Sequence, residues 1–134
     1  MTSSLEWTFN DGWILMSVSL THGDDGASLD ELIGAADAMN HAIPTEGELS
    51  RSLTRLVSCG ILIEDDGRYR IVDAHMPLIA KANCGKGGLF STPEKGKKWL
   101  SRMQFEVDES VRVSITEEQQ SLAFDLYRKR LRWR

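Results

Sequence analysis

The clearest hydrophobic pattern in the chain lies between residues 45 and 59, where apolar side chains recur with the period of an α-helix. They stand at i, i+4, i+7 and i+8 and belong to Leu49, Leu53, Leu56 and Val57. Thr45 and Glu48 form a T-x-x-E capping box at the start, and Gly60 follows the last turn, where a left-handed residue is favoured. The pattern therefore predicts a helix over 45–59 with one buried face.

Two short apolar runs, ILIE and RYRIV, come directly after this helix, with Asp65-Asp66-Gly67 between them. A three-residue loop of this composition is typical of a β-hairpin that turns through a left-handed glycine. In that register Ile63 faces Tyr69 and Ile61 faces Ile71. The second element is therefore predicted to be an antiparallel hairpin.

A first helix is predicted within residues 5–22, which read as a short lead-in followed by a largely apolar helix. Asn10 or Asp11 is the expected N-cap, because short polar side chains accept hydrogen bonds from the first free N–H groups. A strand is the alternative for this segment, since serines flank Val18 on both sides.

A second helix is predicted after a loop at 22–27. Ser28 and Glu31 form its capping box, and the turn at Asn40–Pro44 ends it because Pro44 disfavours helical geometry in the residue before it. Its buried side would consist of Leu29, Leu32, Ile33, Ala36 and Met39. We expect one shared core that joins Ile14 and Leu32 to the apolar residues of the next helix and hairpin, Leu49, Leu53, Leu56, Ile61 and Ile71.

The order helix, helix, turn, helix, hairpin resembles that of winged helix-turn-helix proteins. This resemblance covers residues 10–72 and implies a three-helix bundle in which helix 45–59 is the recognition helix and hairpin 61–72 is the wing. The later stretch FSTPEKGKKWL resembles the LTxxG element that follows the wing in many bacterial winged-helix regulators, here about twenty residues after the hairpin.

The second half of the chain reads as a C-terminal extension, residues 73–134. A short helix around Pro77–Ala82, a flexible GKGG break and a helix with Thr92 as N-cap and Pro93 at its first position come first. Apolar residues at odd positions from 105 to 115 then predict a strand, or a hairpin turning at Asp108–Ser110 that places Val107 opposite Val111 and Phe105 opposite Val113. The fold class predicted for residues 1–134 is thus α+β and mostly helical, in one domain.

The last helix follows a capping box formed by Thr116 and Gln119. Its apolar face consists of Leu122, Ala123, Leu126, Tyr127 and Leu131. We expect a homodimer through this face, with packing onto the helix of Trp13 as the alternative. The basic end RKRLRWR admits three interpretations, as a DNA arm, as a membrane-surface contact or as cations that complement the helix dipole.

Composition narrows the class of protein. The chain has 134 residues, 41% hydrophobic and 27% charged, which is ordinary for one globular domain. Neither an apolar run of membrane-spanning length nor the basic start of a signal peptide is visible, and two cysteines do not make a disulfide framework. We therefore expect a cytoplasmic protein without membrane contact.

Charge is distributed unevenly along the chain. Residues 1–44 contain seven acidic residues and no lysine or arginine, whereas the other 90 carry 16 bases against 13 acids. A surface that binds phosphate must then lie in the second part of the chain.

Helix 45–59 presents Arg51 opposite its apolar stripe, at about 100° per residue. Arg51 and Arg55 are placed to contact guanine or phosphate in a major groove, and the two hairpin arginines would meet phosphate or the minor groove. In the alternative interpretation these arginines only solvate the surface and pair with Glu48 and Glu64. The candidate DNA-binding residues are Arg51, Thr54, Arg55, Ser58, Arg68 and Arg70.

Residues that could carry metal or catalytic chemistry are scattered. His22, His41, His75, Cys59 and Cys84 lack the spacing of metal ligands, and Cys84 begins a CGKGG stretch that lacks the pattern of a phosphate-binding loop. We expect no metal, no cofactor and no enzyme activity.

Two functions from different classes remain. The favoured one is a winged-helix transcriptional regulator that binds double-stranded DNA, and the alternative is a winged-helix protein–protein interaction module that does not bind DNA. A continuous basic stripe joining Arg51, Arg55, Arg68 and Arg70 would favour DNA, because such a stripe attracts phosphate.

Overall fold

The computed structural model describes residues 2–3, 5–21, 25–85 and 87–132. The fold is α+β and mostly helical, in agreement with the fold class predicted from the sequence. Its elements, in chain order, are β1 (Thr2–Ser3), α1 (Phe9–Thr21), α2 (Leu29–Asn40), α3 (Glu46–Ser58), β2 (Leu62–Asp65), β3 (Arg68–Ile71), α4 (Met76–Ala82), a 3-10 turn (Leu89–Ser91), α5 (Thr92–Arg102), β4 (Phe105–Glu106) and α6 (Glu117–Arg132).

Helices α2 and α3 begin at the two capping boxes predicted from the sequence. Ser28 and Thr45 are the N-caps, and each capping box is closed reciprocally by Glu31 or Glu48. Gly60, just after α3, has a φ of +73°, a left-handed conformation that costs glycine little because it has no Cβ.

Residues 9–21 are helical, so the strand alternative for this segment is wrong. The predicted N-cap was also wrong. Thr8 lies at the start of α1, and the Asp11 carboxylate accepts hydrogen bonds from Thr8 N and Thr8 Oγ1, each at 3.0 Å. Asp11 is therefore in the first turn, where it closes a capping box with Thr8.

Of the loop predicted at 22–27, residues 22–24, including His22, lie outside the described part of the chain.

The hairpin forms directly after α3, but its register differs from the prediction by one residue. Leu62 pairs with Ile71 and Asp65 with Arg68, which leaves a two-residue turn at Asp66–Gly67 instead of a three-residue loop. Both turn residues have positive φ, +52° and +77°. This is a type I′ turn, which Asp-Gly favours because its twist matches that of the strands.

The predicted shared core is confirmed. Leu53, at the centre of the α3 stripe, is fully buried, as are Ile14 of α1 and Leu32 of α2. Leu49, Leu56, Ile61 and Ile71 are buried with them. Helix α1 runs through the middle of this core, where it contacts α2, α3 and α5.

Two glycines allow α1 and α5 to cross closely. A Cβ on Gly12 would lie 2.5 Å from Lys97 N and closer still to Pro93 O, and a Cβ on Gly96 would lie 2.9 Å from Gly12 O. These distances leave no room for a side chain between the two backbones. The glycine of the TPEKG stretch therefore serves to pack α5 against α1.

The C-terminal extension follows the predicted order up to residue 102. The short helix at Pro77–Ala82 is confirmed as α4, whereas α5 has Ser91 rather than Thr92 as its N-cap. Gly85, Gly87 and Gly88 lie in the loop between them, and residue 86 is outside the described part of the chain.

The hairpin predicted at 105–115 does not form. Phe105 and Glu106 pair with β1 instead, and residues 107–116 are neither helix nor strand. The alternation of apolar residues does mark an inward side, since Phe105 and Val113 are buried. Its partners are distant parts of the chain, which local periodicity does not specify.

Candidate interaction surface on the third helix

Residues 111–116, which we call the strap, bind to the outward side of α3. Thr54 Oγ1 accepts a hydrogen bond from Val113 N at 2.8 Å and donates one to Val113 O at 2.9 Å. Ser50 Oγ makes the same pair of bonds with Ile115, at 2.8 and 3.2 Å. Each hydroxyl thus makes the two hydrogen bonds that a residue of a neighbouring strand would make in a β-sheet.

The match between the strap and the helix follows from two repeat distances. One turn of α-helix rises about 5.4 Å, and two residues of extended chain span roughly 6.6 Å. Hydroxyls four residues apart on α3 can therefore bind backbone groups two residues apart on an extended segment. Thr54, proposed above as a DNA contact, is engaged in this way.

Arg55 turns inward rather than outward. Its Nε lies 3.2 Å from Asp11 Oδ2, without the alignment of a hydrogen bond, and its Nη2 donates to Glu6 O at 2.6 Å. The guanidinium also stacks over the Trp7 ring, 5.0 Å from its centroid. The Asp11 carboxylate is fully buried and also accepts a 2.7 Å hydrogen bond from Ser52 Oγ. Arg55 is the counter-charge that makes this buried carboxylate tolerable.

Ser58 is buried as well. Its Oγ donates to Arg55 O at 2.9 Å, and its carbonyl oxygen accepts a hydrogen bond from Asp108 N. Of the four candidate residues on α3, Arg51 is the one that is exposed.

The two hairpin arginines differ in their surroundings. Arg68 Nη1 donates to Gly26 O at 2.9 Å and lies 3.4 Å from Glu31 Oε1, so it ties the hairpin to the start of α2. Hydrogen bonds from Ser28, with a smaller contribution from Arg68, hold the pKa of Glu31 below its ordinary value. Arg70 is half-buried. Arg55 and Arg68 pair with Asp11 and Glu31, not with Glu48 and Glu64 as the alternative interpretation supposed.

Arg51 borders a groove of about 470 Å³ between α3 and the strap, which we call the α3 groove. Arg112 of the strap also lines it, together with Gly47 and Ser114. Residues of α3 and of the strap line this groove together. The strap thus lies beside the outward side of α3, which a recognition helix must present freely to enter a major groove.

Helix α6 packs on α2, not on the helix of Trp13. Tyr127 Oη donates to Asp37 Oδ2 at 2.6 Å, and Arg130 Nη2 lies 2.5 Å from Asp30 Oδ2. The Tyr127 ring also lies against Gly34. Part of the predicted dimer face is therefore used within the chain, including Ala123, which is buried.

The three leucines of the predicted dimer face are exposed. Leu122 is 59% exposed and Leu126 is 53% exposed, and both line a second groove of about 530 Å³ between α6, the strap and the hairpin. We call this the α6 groove. Leu131, 48% exposed, lies about 140° around the helix from Leu126. The side chains of Arg132, Trp133 and Arg134, part of the basic end, lie outside the described residues.

The described ranges contain no group of three or more His, Cys, Asp or Glu arranged to hold a metal ion, and no helix long and apolar enough to cross a membrane. Cys59 is buried, which raises the pKa of its thiol, and Cys84 is exposed.

Sequence reasoning missed the two strap residues Arg112 and Ser114 because the hairpin prediction placed this segment elsewhere. The signal available for them was Ser50 and Thr54, two hydroxyls one turn apart on the outward face of α3. Comparison of the chain with protein-family models, with curated proteins and with solved structures found no match.

Proposed function

We propose that residues 9–72 form a winged-helix-type domain and that the chain works as a protein-interaction module rather than as a reader of DNA sequence. Three helices followed directly by a hairpin support the first part. The second part rests mainly on one observation, the binding of the strap to the outward face of α3 through Ser50 and Thr54.

The charge arrangement supports the same proposal. A basic stripe suitable for DNA would need its arginines side by side and free. Arg55 instead compensates a buried carboxylate, and Arg68 is directed at Glu31 and Gly26. Arg51 and Arg112 are left to offer positive charge on this side of the described chain.

DNA binding through these two residues is the rival proposal. Arg51 and Arg112 border the same groove, and together they would neutralise phosphate without reading bases. Such binding would be weak, would fall steeply with salt and would show no sequence preference.

The test that separates the two is fluorescence anisotropy with duplexes selected from a random pool, at low and at physiological salt. We expect no sequence-selective binding by the wild type. Arg51→Met and Arg112→Met should each change any residual affinity equally for all duplexes. Selective binding that is lost in Arg51→Met would contradict the proposal and restore the DNA reader.

A homodimer through α6 is the second candidate within the class of protein interactions. Glu117 and Glu118 begin this helix, and Arg128 and Lys129 lie near its end, with Leu122 and Leu126 between them on the exposed side. Two antiparallel copies would set acidic starts against basic ends, which is the self-complementarity that a two-fold interface requires. If it forms, light scattering will give twice the chain mass, and Leu126→Ser, but not Leu131→Ser, will halve it.

A further inference from the structure

The strap has two backbone edges, and one of them is bound. Val113 and Ile115 direct both their N–H and C=O groups at hydroxyls of α3. Successive residues of an extended chain alternate in this direction, so Arg112 and Ser114 direct their backbone groups away from α3. In the described part of the chain these groups have no hydrogen-bond partner. They form an unpaired strand edge.

The α6 groove also lies along this strap, and its lining contains no residue of α3. Residues 112–115 form one wall, and Leu29, Tyr69, Leu122 and Leu126 supply apolar surface. Glu64, also in the lining, accepts a hydrogen bond from Tyr69 Oη at 3.2 Å through Oε2 and is otherwise exposed. An open edge beside an apolar groove combines the two features by which sheets capture extended peptides.

We propose that the unpaired edge of the strap and the α6 groove bind an extended segment of another protein, which adds to Arg112 and Ser114 as a β-strand. An apolar side chain of that segment packs on Leu122 and Leu126, and a neighbouring Lys or Arg pairs with Glu64. This inference rests on the proposed function, because it names the kind of partner that the interaction module takes.

The edge favours an extended partner over a second copy of α6. Helical backbone groups are bonded within their own helix, so α6 of a second copy would leave Arg112 and Ser114 unpaired. An extended segment satisfies them and covers the exposed leucines at once. Because both occupants would use Leu122 and Leu126, the groove holds one of them at a time.

Position 114 allows a matched pair of variants. Ser114→Pro removes the N–H that the partner strand needs, while the bonds of Val113 and Ile115 to α3 remain. Proline also favours extended geometry in the residue before it, and the paired hydrogen bonds of Val113 to Thr54 fit such a backbone. Ser114→Ala keeps the N–H and is the control. Urea unfolding of both variants should match that of the wild type.

The experiment selects peptides from a random displayed library on the full-length chain and measures their affinities. We expect selected peptides to combine apolar residues with Lys or Arg. They should bind Ser114→Ala like the wild type, and should bind Ser114→Pro and Leu126→Ser at least about tenfold more weakly. Hydrogen exchange at the amides of Arg112 and Ser114 should slow when peptide is bound.

Several results would overturn the inference. The first is a selection that yields no binding peptide. The second is a set of peptides that bind Ser114→Pro as tightly as the wild type. The third is amide exchange at residues 112 and 114 that does not slow when peptide is bound. A dimer that Leu126→Ser dissociates, in a chain that binds no peptide, would assign the groove to a second copy. Each result leaves the interaction module standing, since that proposal fails only if α3 binds DNA selectively.

Discussion

The two faces of α3 have different partners, because the inward face packs in the shared core and the outward face binds the strap. The inward face, with Leu53 at its centre, is buried in the shared core as its period required. The outward face carries Arg51 opposite that stripe, but Ser50 and Thr54 beside it hold the strap. Helical period therefore determines which side of a helix is inward, but it does not determine what covers the other side.

The two faces of α3 differ in how far away along the chain their partners lie. Leu53 packs against helices and strands that have recognisable patterns of their own. Thr54 is bonded to Val113, 59 residues away, and Ser50 to Ile115, 65 residues away. A hydroxyl on an exposed helical face gives no local sign that a distant backbone will bind it.

Arg51 and Arg55 provide the strongest test of this comparison, because they lie one turn apart on α3. Arg55→Met leaves the fully buried Asp11 carboxylate without its cation and should lower the free energy of unfolding by ~3–5 kcal/mol. Arg51→Met should change it by about 0.5 kcal/mol or less, because Arg51 is exposed. Urea unfolding measures both.

Equal, small effects of the two arginine substitutions would mean that Arg55 points outward. It would then be available for DNA, as the sequence pattern had indicated.

The inward face is tested by Leu53→Ala. Leu53 is fully buried, so the loss of its methyl groups and the cavity they leave should cost ~2–5 kcal/mol. Thermal or urea unfolding will give the value. A cost near that of a surface substitution would place the stripe of α3 outside the core.

The strap is tested by Thr54→Val, which keeps the shape of the side chain and removes its hydroxyl. Two hydrogen bonds to Val113 are lost, and the expected cost is about 1–2 kcal/mol. Thr54→Ser retains the hydroxyl and should recover most of the stability. If valine and serine are equivalent at this position, the strap does not depend on Thr54.

The smallest effect concerns the capping box at the start of α2. The pKa of Glu31 is held below its ordinary value of 4.5 by hydrogen bonds from Ser28, so the charged carboxylate stabilises the fold above that pH. This stabilisation is lost as the pH falls through the lowered pKa. Glu31→Gln should therefore be less stable than the wild type at neutral pH, with a difference that shrinks in acid. A difference independent of pH would contradict this.

Local signals in the sequence were sufficient for much of the fold. The capping boxes at Ser28 and Thr45, the stripe of α3 and the Asp-Gly turn each specify their structure within a few residues. The register of the hairpin was missed by one residue because a three-residue loop and a type I′ turn use similar residues.

The candidate site was less predictable for a physical reason. Arg55 was assigned to DNA because its position on the helix is correct for that role. Its actual partners, Asp11 and Glu6, belong to the acidic first third of the chain, and their approach depends on how α1 packs against α3. Charge alone could not distinguish a free arginine from one that compensates a buried carboxylate.

The central claim, that the strap binds the outward face of α3 through one edge, is tested most directly by amide hydrogen exchange at residues 112–115 of the free chain. We expect alternation, with slow exchange at Val113 and Ile115 and fast exchange at Arg112 and Ser114. Uniformly fast exchange over all four residues would mean that the strap does not hold to α3, and would leave that helix open to DNA.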